Sequence, residues 1–116
     1  MLRTLRPPQD RLDFARRLMR AEAAALHQAA DRLDQPFLDA LELLWSIAAE
    51  GVGRLAITGT GKSADIAQKL AGTFSSTGTR AYLLDATKAV HGDLGMLQPD
   101  DVALVLSHSG ESEEIV

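Results

Sequence analysis

The sequence contains no cysteine, and it has only one tryptophan, one tyrosine and three phenylalanines among 116 residues. Without cysteine it can form neither disulfides nor thiolate metal sites, which suits a reducing compartment. No apolar run approaches the roughly 18 residues of a membrane-spanning helix, and the start, MLRTLRPPQDR, lacks the apolar stretch of a signal peptide. The net charge is -4 and the basic residues form no long run. We therefore expect a cytoplasmic protein that binds neither membranes nor nucleic acid.

At 46% hydrophobic residues the chain can bury one core, and its first fifty residues predict two helices. Asp10 is expected to cap a helix that runs to about Leu33, because apolar residues recur at three- and four-residue steps. Pro36 suits the first turn of a second helix, whose apolar stripe ends before Gly51. Residues 1–50 are thus predicted to form a helical hairpin that packs on the following domain or on a partner subunit.

Residues 51–116 alternate short apolar runs with helix and turn signals, which is typical of an α/β domain. A helix is predicted from about Ser63 to Thr77, and residues 85–98 are predicted to be a long irregular connection. Buried strands are predicted at residues 55–58, 81–84 and 102–107. Strands joined by such crossovers pair in parallel, so we predict a parallel sheet that is covered on both faces.

Two loops suited to phosphate follow the first and third strands: GTGKS at residues 59–63 and SHSGES at residues 107–112. A helix N-terminus offers unpaired N–H groups and a positive dipole end, and open parallel sheets bind ligands at the carboxyl ends of their strands. Gly110 lets the backbone turn close to a ligand. Further donors come from Lys62, Ser63, Ser107, Ser109 and Ser112. These loops predict a phosphosugar ligand, although one serine and the nearby acids would also serve as an ordinary helix cap.

GTGKS is also similar to two nucleotide-binding motifs. A Walker A loop would place its first glycine at Ala56, inside the strand, so the loop is too short for an ATPase. A dinucleotide fingerprint stays open, since residues 59–64 fit G-x-G-x-x-A and Asp85 follows the second strand, but Lys62 and Ser63 add polar bulk where a pyrophosphate would approach. The two glycines also suit a plain strand-to-helix turn.

From GTGKS onward the sequence resembles the sugar isomerase (SIS) domain, and most of all the D-arabinose 5-phosphate isomerases. The motifs GxGKS, STGT, HGDLGM and SxSGESxEI occur here in the family's order and spacing, and the resemblance extends over residues 10–116. It implies a five-stranded parallel sheet in a three-layer, flavodoxin-like α/β sandwich. It also implies assembly into dimers or tetramers and no organic cofactor.

The resemblance also implies site residues. Lys62, Glu114 and His91 correspond to the lysine of GxGKS, the acid of GESxE and the histidine of HGDLGM. In a helix that begins near Glu111, Glu114 is also the acid that faces inward. The expected substrate and phosphate contacts are Gly61, Ser63, Gly78, Thr79, Ser107, Ser109, Gly110, Glu111 and Ser112.

The sequence departs from the family at three positions. Asp85 stands where relatives have a histidine associated with metal binding, and Lys88 replaces an acid, so no metal site is expected. His108 replaces an asparagine of the serine loop, a change that bears on substrate preference.

The leading hypothesis is an isomerase that interconverts D-ribulose 5-phosphate and D-arabinose 5-phosphate, an activity that the family uses to supply the precursor of an eight-carbon acid sugar of the Gram-negative envelope. The alternatives are a non-catalytic phosphosugar-binding module or an isomerase of another sugar phosphate. A regulator would carry a helix-turn-helix, and residues 10–50 contain no basic recognition helix. Three strands are recognisable where the family has five. We therefore expect the first part of a longer polypeptide, inactive as an isomerase by itself.

Overall fold

The computed structural model describes residues 7–111 and 113. Ser112 and Glu114 lie outside the described residues, as does most of the helix predicted to begin near Glu111. The helices are α1 (Pro8–Ala30), α2 (Gln35–Glu50), α3 (Lys62–Ser76) and α4 (Ala86–Val90), with a 3-10 helix at Asp93–Met96. The strands are β1 (Leu55–Gly59), β2 (Ala81–Leu83) and β3 (Val102–Leu106).

The start of α1 differs from the prediction. The helix begins at Pro8, because proline needs no N–H partner in the first turn and already has a helical φ. Asp10 therefore does not cap the helix but lies in its first turn, where its charge favours the helix dipole. No residue of α1 is buried. Within the described part of the chain, no helix is both long and apolar enough to cross a bilayer.

Close packing divides the chain into two compact units, Met1–Phe37 and Leu38–Val116. The division falls inside α2, because Leu44 and Ile47 of that helix pack with the core of the second unit. The predicted domain boundary at residue 50 stays a prediction.

The three strands form one parallel sheet, as predicted, and their order in the sheet is β2-β1-β3. Leu55 pairs with Ala81 on one side and with Val102 on the other, so the three strands begin level with one another. The central strand is buried throughout, whereas the residues of β2 and β3 are partly or fully exposed. The core of this unit therefore lies around β1.

Both faces of the sheet are covered, but unequally. Leu55 and Ile57 point to one face and pack with α2 and with Ala67 and Ala71 of α3. Ala56 points to the other face and packs with Leu84 and Ala89, which brings α4 against the sheet. On β3, the alternate residues Ala103 and Val105 are exposed, and Val105 keeps 46% of its surface in water.

The connection at residues 85–98 is more regular than predicted. It contains α4 and the 3-10 helix, which the prediction missed because a five-residue helix shows no periodic pattern. Asp85 caps α4, since its Oδ1 accepts hydrogen bonds from the backbone N–H groups of Thr87 (2.9 Å) and Lys88 (3.1 Å). The sequence signal for the start of α4 was the aspartate at the position directly before it.

A buried carboxylate joins the amino ends of the strands. Asp101, whose side chain is 1% exposed, forms an ion pair with Arg54 at 3.0 Å and accepts hydrogen bonds from the backbone N–H of Arg54 (2.8 Å) and of Gln98 (3.1 Å). The Tyr82 hydroxyl donates to it at 3.2 Å. Burial acts to raise the pKa of Asp101, but the Gln98 and Arg54 hydrogen bonds outweigh it and lower the pKa below its ordinary value.

Candidate functional site

The candidate site lies at the carboxyl edge of the sheet. Gly59, the last residue of β1, pairs with Leu106, the last residue of β3, so the loops that follow these strands are neighbours. The chain leaves β1 through α3 on one face and leaves β2 through α4 on the other. The end of β1 is therefore a topological switch point, the usual position of a ligand crevice in an open parallel sheet.

Gly59 brings the two loops together. A Cβ at this position would lie 2.9 Å from the Cβ and carbonyl carbon of Ser63 and 3.0 Å from the carbonyl oxygen of Leu106. Only glycine allows the start of α3 and the end of β3 to approach this closely. Gly61 is required for a different reason, because its φ of 53° lies in the left-handed region.

The N-terminus of α3 carries no side-chain cap. Within the described residues the backbone N–H groups of Gly61 and Lys62 have no protein acceptor, whereas those of Ser63 and Ala64 bond to Thr60 and Gly61 at 3.0 Å. The Lys62 side chain is 98% exposed, and its ion pair with Asp65 is long at 3.5 Å. Such an exposed pair contributes little to the free energy of folding, so the ammonium can turn toward a ligand at a low cost in free energy.

The serine loop is held by its own side chains. Ser107 Oγ accepts a hydrogen bond from the Gly110 N–H at 2.8 Å, and Ser109 Oγ accepts one from the Glu111 N–H at 3.2 Å. Gly110 has a φ of 73°, which completes the tight turn. Each hydroxyl uses only an acceptor lone pair in these bonds and keeps its proton to donate.

His91 lies apart from these loops. It is the C-cap residue of α4. Its backbone N–H donates to the Lys88 carbonyl at 2.9 Å, and its side chain is exposed. Since α4 packs on the Ala56 face and α3 on the Ile57 face, His91 and Lys62 belong to helices on opposite faces of the sheet.

Gly78 and Thr79 lie at the other end of the sheet. They follow α3 and precede β2, and the N–H of Leu55 at the start of β1 bonds to the carbonyl of the next residue, Arg80, at 2.7 Å. These two residues are thus at the amino edge, a strand length away from the Lys62 and Ser107 loops of the same chain.

The side chains that a metal or a dinucleotide would use here are the histidines and acids of the described residues. Within residues 7–111 and 113, no three His, Asp or Glu side chains are grouped as metal ligands would be. Asp85, the residue that would bind a ribose, instead uses its Oδ1 to cap α4.

Sequence reasoning missed three buried or partly buried polar residues that lie in β1 or next to its amino end. Thr58 is 8% exposed, and its Oγ1 has no hydrogen-bond partner within the described structure. Arg54 and Asp101 each come directly before a strand, and the register that pairs Leu55 with Val102 makes them neighbours. The signal was a pair of oppositely charged residues, each directly before a strand. It could be recognised only once β1 and β3 were known to pair.

Comparison with known proteins agrees with this geometry. Residues 50–116 match the SIS domain family. The chain is 42% identical over 104 residues to a probable arabinose 5-phosphate isomerase of Haemophilus influenzae, covering 90% of this chain and 30% of that protein. It is 41% identical over 108 residues to the arabinose 5-phosphate isomerase KdsD of Pseudomonas aeruginosa, covering 90% of this chain and 32% of that protein.

A solved structure is also similar: the E. coli CFT073 protein c3406 in complex with arabinose 5-phosphate, with a TM-score of 0.84 and 38% identity, covering 95% of this chain and 56% of that one. The chain spans about a third of the length of the curated relatives that it matches. The matched residues include both glycine- and serine-rich loops and all three strands. By sequence and by fold, this chain belongs to the SIS domain family.

Proposed function

We propose that this chain binds a sugar phosphate at the carboxyl edge of its sheet and serves the interconversion of D-arabinose 5-phosphate and D-ribulose 5-phosphate. The observation that carries the proposal is the pairing of Gly59 with Leu106, which sets the GTGKS and SHSGES loops side by side. The names of the relatives support the choice of sugar, since two are isomerases of arabinose 5-phosphate.

The phosphate is proposed to bind between the two loops. The N–H groups of Gly61 and Lys62 are available at the start of α3, and the helix dipole favours an anion there. Ser107 and Ser109 are held in place by their bonds from Gly110 and Glu111 and donate their protons to phosphate oxygens. Ser63, Ser112 and Glu111 belong to the same proposed set, with Ser112 outside the described residues.

The proposed chemistry is a proton transfer between C1 and C2 through an enediolate. The transfer needs a base for the carbon-bound proton and a cation beside the developing oxyanion. Lys62 supplies the cation, because its exposed ammonium has only the long contact to Asp65 to give up. Glu114 is proposed as the base, and His91 is proposed to transfer protons to and from the substrate hydroxyl groups.

The biological setting follows from the same proposal. The protein acts in the cytoplasm as a homo-oligomer and supplies the precursor of an eight-carbon envelope sugar. Exposed apolar side chains of α2 support the assembly, since Leu43 and Trp45 keep 57% and 67% of their surface in water. Light scattering on the purified chain measures the assembly directly.

The test is a titration of arabinose 5-phosphate into the chain, together with turnover in a polypeptide that extends over the length of the relatives. Ser109→Ala should weaken binding by about 1 to 3 kcal/mol, the cost of leaving a charged acceptor without its donor. Lys62→Ala and Glu114→Gln should each lower turnover at least about a hundredfold. Lys69→Ala removes the same charge from the same helix and is the matched control.

Loss of binding in the Lys69 variant, or normal turnover in the Lys62 variant, would contradict the proposed roles. Tight binding by the chain, with no turnover of any pentose or hexose phosphate by the longer polypeptide, would assign the protein to the non-catalytic class instead.

A further inference from the structure

Thr58 is the last residue of β1 that carries a side chain, and it is the only polar one in that strand. The strand reads LAITG, and all five of its residues are buried. Thr58 is 8% exposed, and its Oγ1 has no hydrogen-bond partner within the described structure. A buried hydroxyl without a partner costs free energy, and valine would keep the same branched shape without that cost. Stability therefore does not explain the hydroxyl.

The side chain of Thr58 lies on the same face of the sheet as Ala56, since alternate residues of a strand point to the same face. On that face α4 packs against the sheet through Ala89. The register pairs Thr58 with Val105 of β3, which keeps 46% of its surface in water. The covered part of this face therefore ends between Thr58 and Val105, near the carboxyl edge of the sheet.

Thr58 also lies directly before the GTGKS loop, where the phosphate is proposed to bind. The chain continues from that loop into α3, which packs on the Ile57 face, whereas Thr58 points to the opposite face. A ligand that has its phosphate at the start of α3 and extends across the end of β1 brings its uncharged part to the Thr58 face. In a sugar phosphate, that part carries hydroxyl groups.

We propose that Thr58 positions the substrate through a hydrogen bond between its Oγ1 and a hydroxyl group of the sugar. The inference rests on the proposed function, because it requires the phosphate to bind between the two loops. A threonine hydroxyl both donates and accepts and carries no charge, so it pairs with another hydroxyl in either direction. Rotation about χ1 reorients Oγ1 toward the ligand, a kind of rotamer change that is common on binding. Thr58 thus positions the sugar and transfers no proton.

Calorimetric titration of two ligands into the chain separates this contact from phosphate binding. Thr58→Val should weaken the binding of arabinose 5-phosphate about tenfold, because a sugar hydroxyl would face a methyl group instead of its partner. The same variant should bind inorganic phosphate as the parent chain does, since both loops are unchanged. Thr58→Ser keeps the hydroxyl and should bind both ligands as the parent does. Thr73→Val removes an exposed threonine hydroxyl from α3 and is the matched control.

Urea unfolding of the ligand-free variants separates weaker binding from a damaged fold. Thr58→Val should unfold at a urea concentration no lower than that of the parent, while its affinity for the sugar phosphate falls. Unchanged affinity of Thr58→Val for arabinose 5-phosphate would overturn this inference and leave the proposed function standing. An equal loss for both ligands would also overturn it, as would a loss in Thr58→Ser or in Thr73→Val as large as in Thr58→Val. If the parent chain does not bind arabinose 5-phosphate, the proposed function fails, and this inference fails with it.

Discussion

Thr58 and Asp101 are both buried polar residues, but only Asp101 has partners. The Thr58 hydroxyl has no hydrogen bond within the described structure, while the Asp101 carboxylate is bonded by Arg54, Tyr82 and Gln98. A buried polar group costs free energy when unpaired and stabilises when its bonds are made. The two residues should therefore respond to substitution in opposite directions.

Thr58→Val should raise the free energy of unfolding by about 1 kcal/mol, because it removes a desolvated hydroxyl and keeps the branched shape in a β-strand. Urea unfolding of the variant beside the parent chain measures the difference. A clear loss of stability would mean that a water or a ligand satisfies the hydroxyl in solution.

Asp101→Asn should lower the free energy of unfolding by about 1 to 3 kcal/mol near neutral pH, because the partly exposed Arg54 guanidinium and the buried N–H groups lose a charged acceptor. The pKa of Asp101 is lower in the folded chain, so its contribution is complete above the ordinary aspartate pKa of about 3.9. That contribution fades as the pH falls from there through the folded pKa. Stability against pH should consequently be flatter in the variant over this acid range, and equal slopes would contradict the argument.

At the scale of elements, the junction of β1 with α3 depends on glycine. Gly59→Ala should destabilise the chain by about 1 to 3 kcal/mol, since its Cβ would overlap Ser63 and crowd Leu106. Gly72→Ala is the matched control, because a Cβ within α3 there meets nothing within 4 Å. It should stabilise the helix by about 0.5 to 1 kcal/mol. Thermal unfolding of both variants makes the comparison, and a neutral Gly59 variant would show that the two loops need not approach so closely.

The elements differ in how far they were predictable. The strands and α3 were predicted to within a few residues, because apolar runs and glycine stops are local signals. The start of α1 was misplaced because Pro8 outweighed Asp10, and α4 was missed because it is one and a half turns long. The pairing of Arg54 with Asp101 was out of reach, since it joins residues 47 apart through the sheet register.

At the scale of the whole molecule, burial is concentrated around one strand. All five residues of β1 are buried, whereas α1 buries none. Amide hydrogen exchange in the chain should therefore be slowest in β1 and fastest among the helices in α1, because local opening costs least where little apolar surface is covered. Equal protection of α1 and β1 would indicate that another surface covers α1 in solution.

The hydrogen bonds of the Asp101 carboxylate also bear on how the sheet unit folds. Arg54 precedes β1, Tyr82 lies in β2 and Gln98 precedes β3, so the carboxylate gains all its partners only when the three segments meet. A half-assembled sheet would have to dehydrate the charge without compensating bonds or leave β3 undocked. Partly folded forms are thereby penalised, and one aspartate at the edge of the sheet favours all-or-none assembly of the unit.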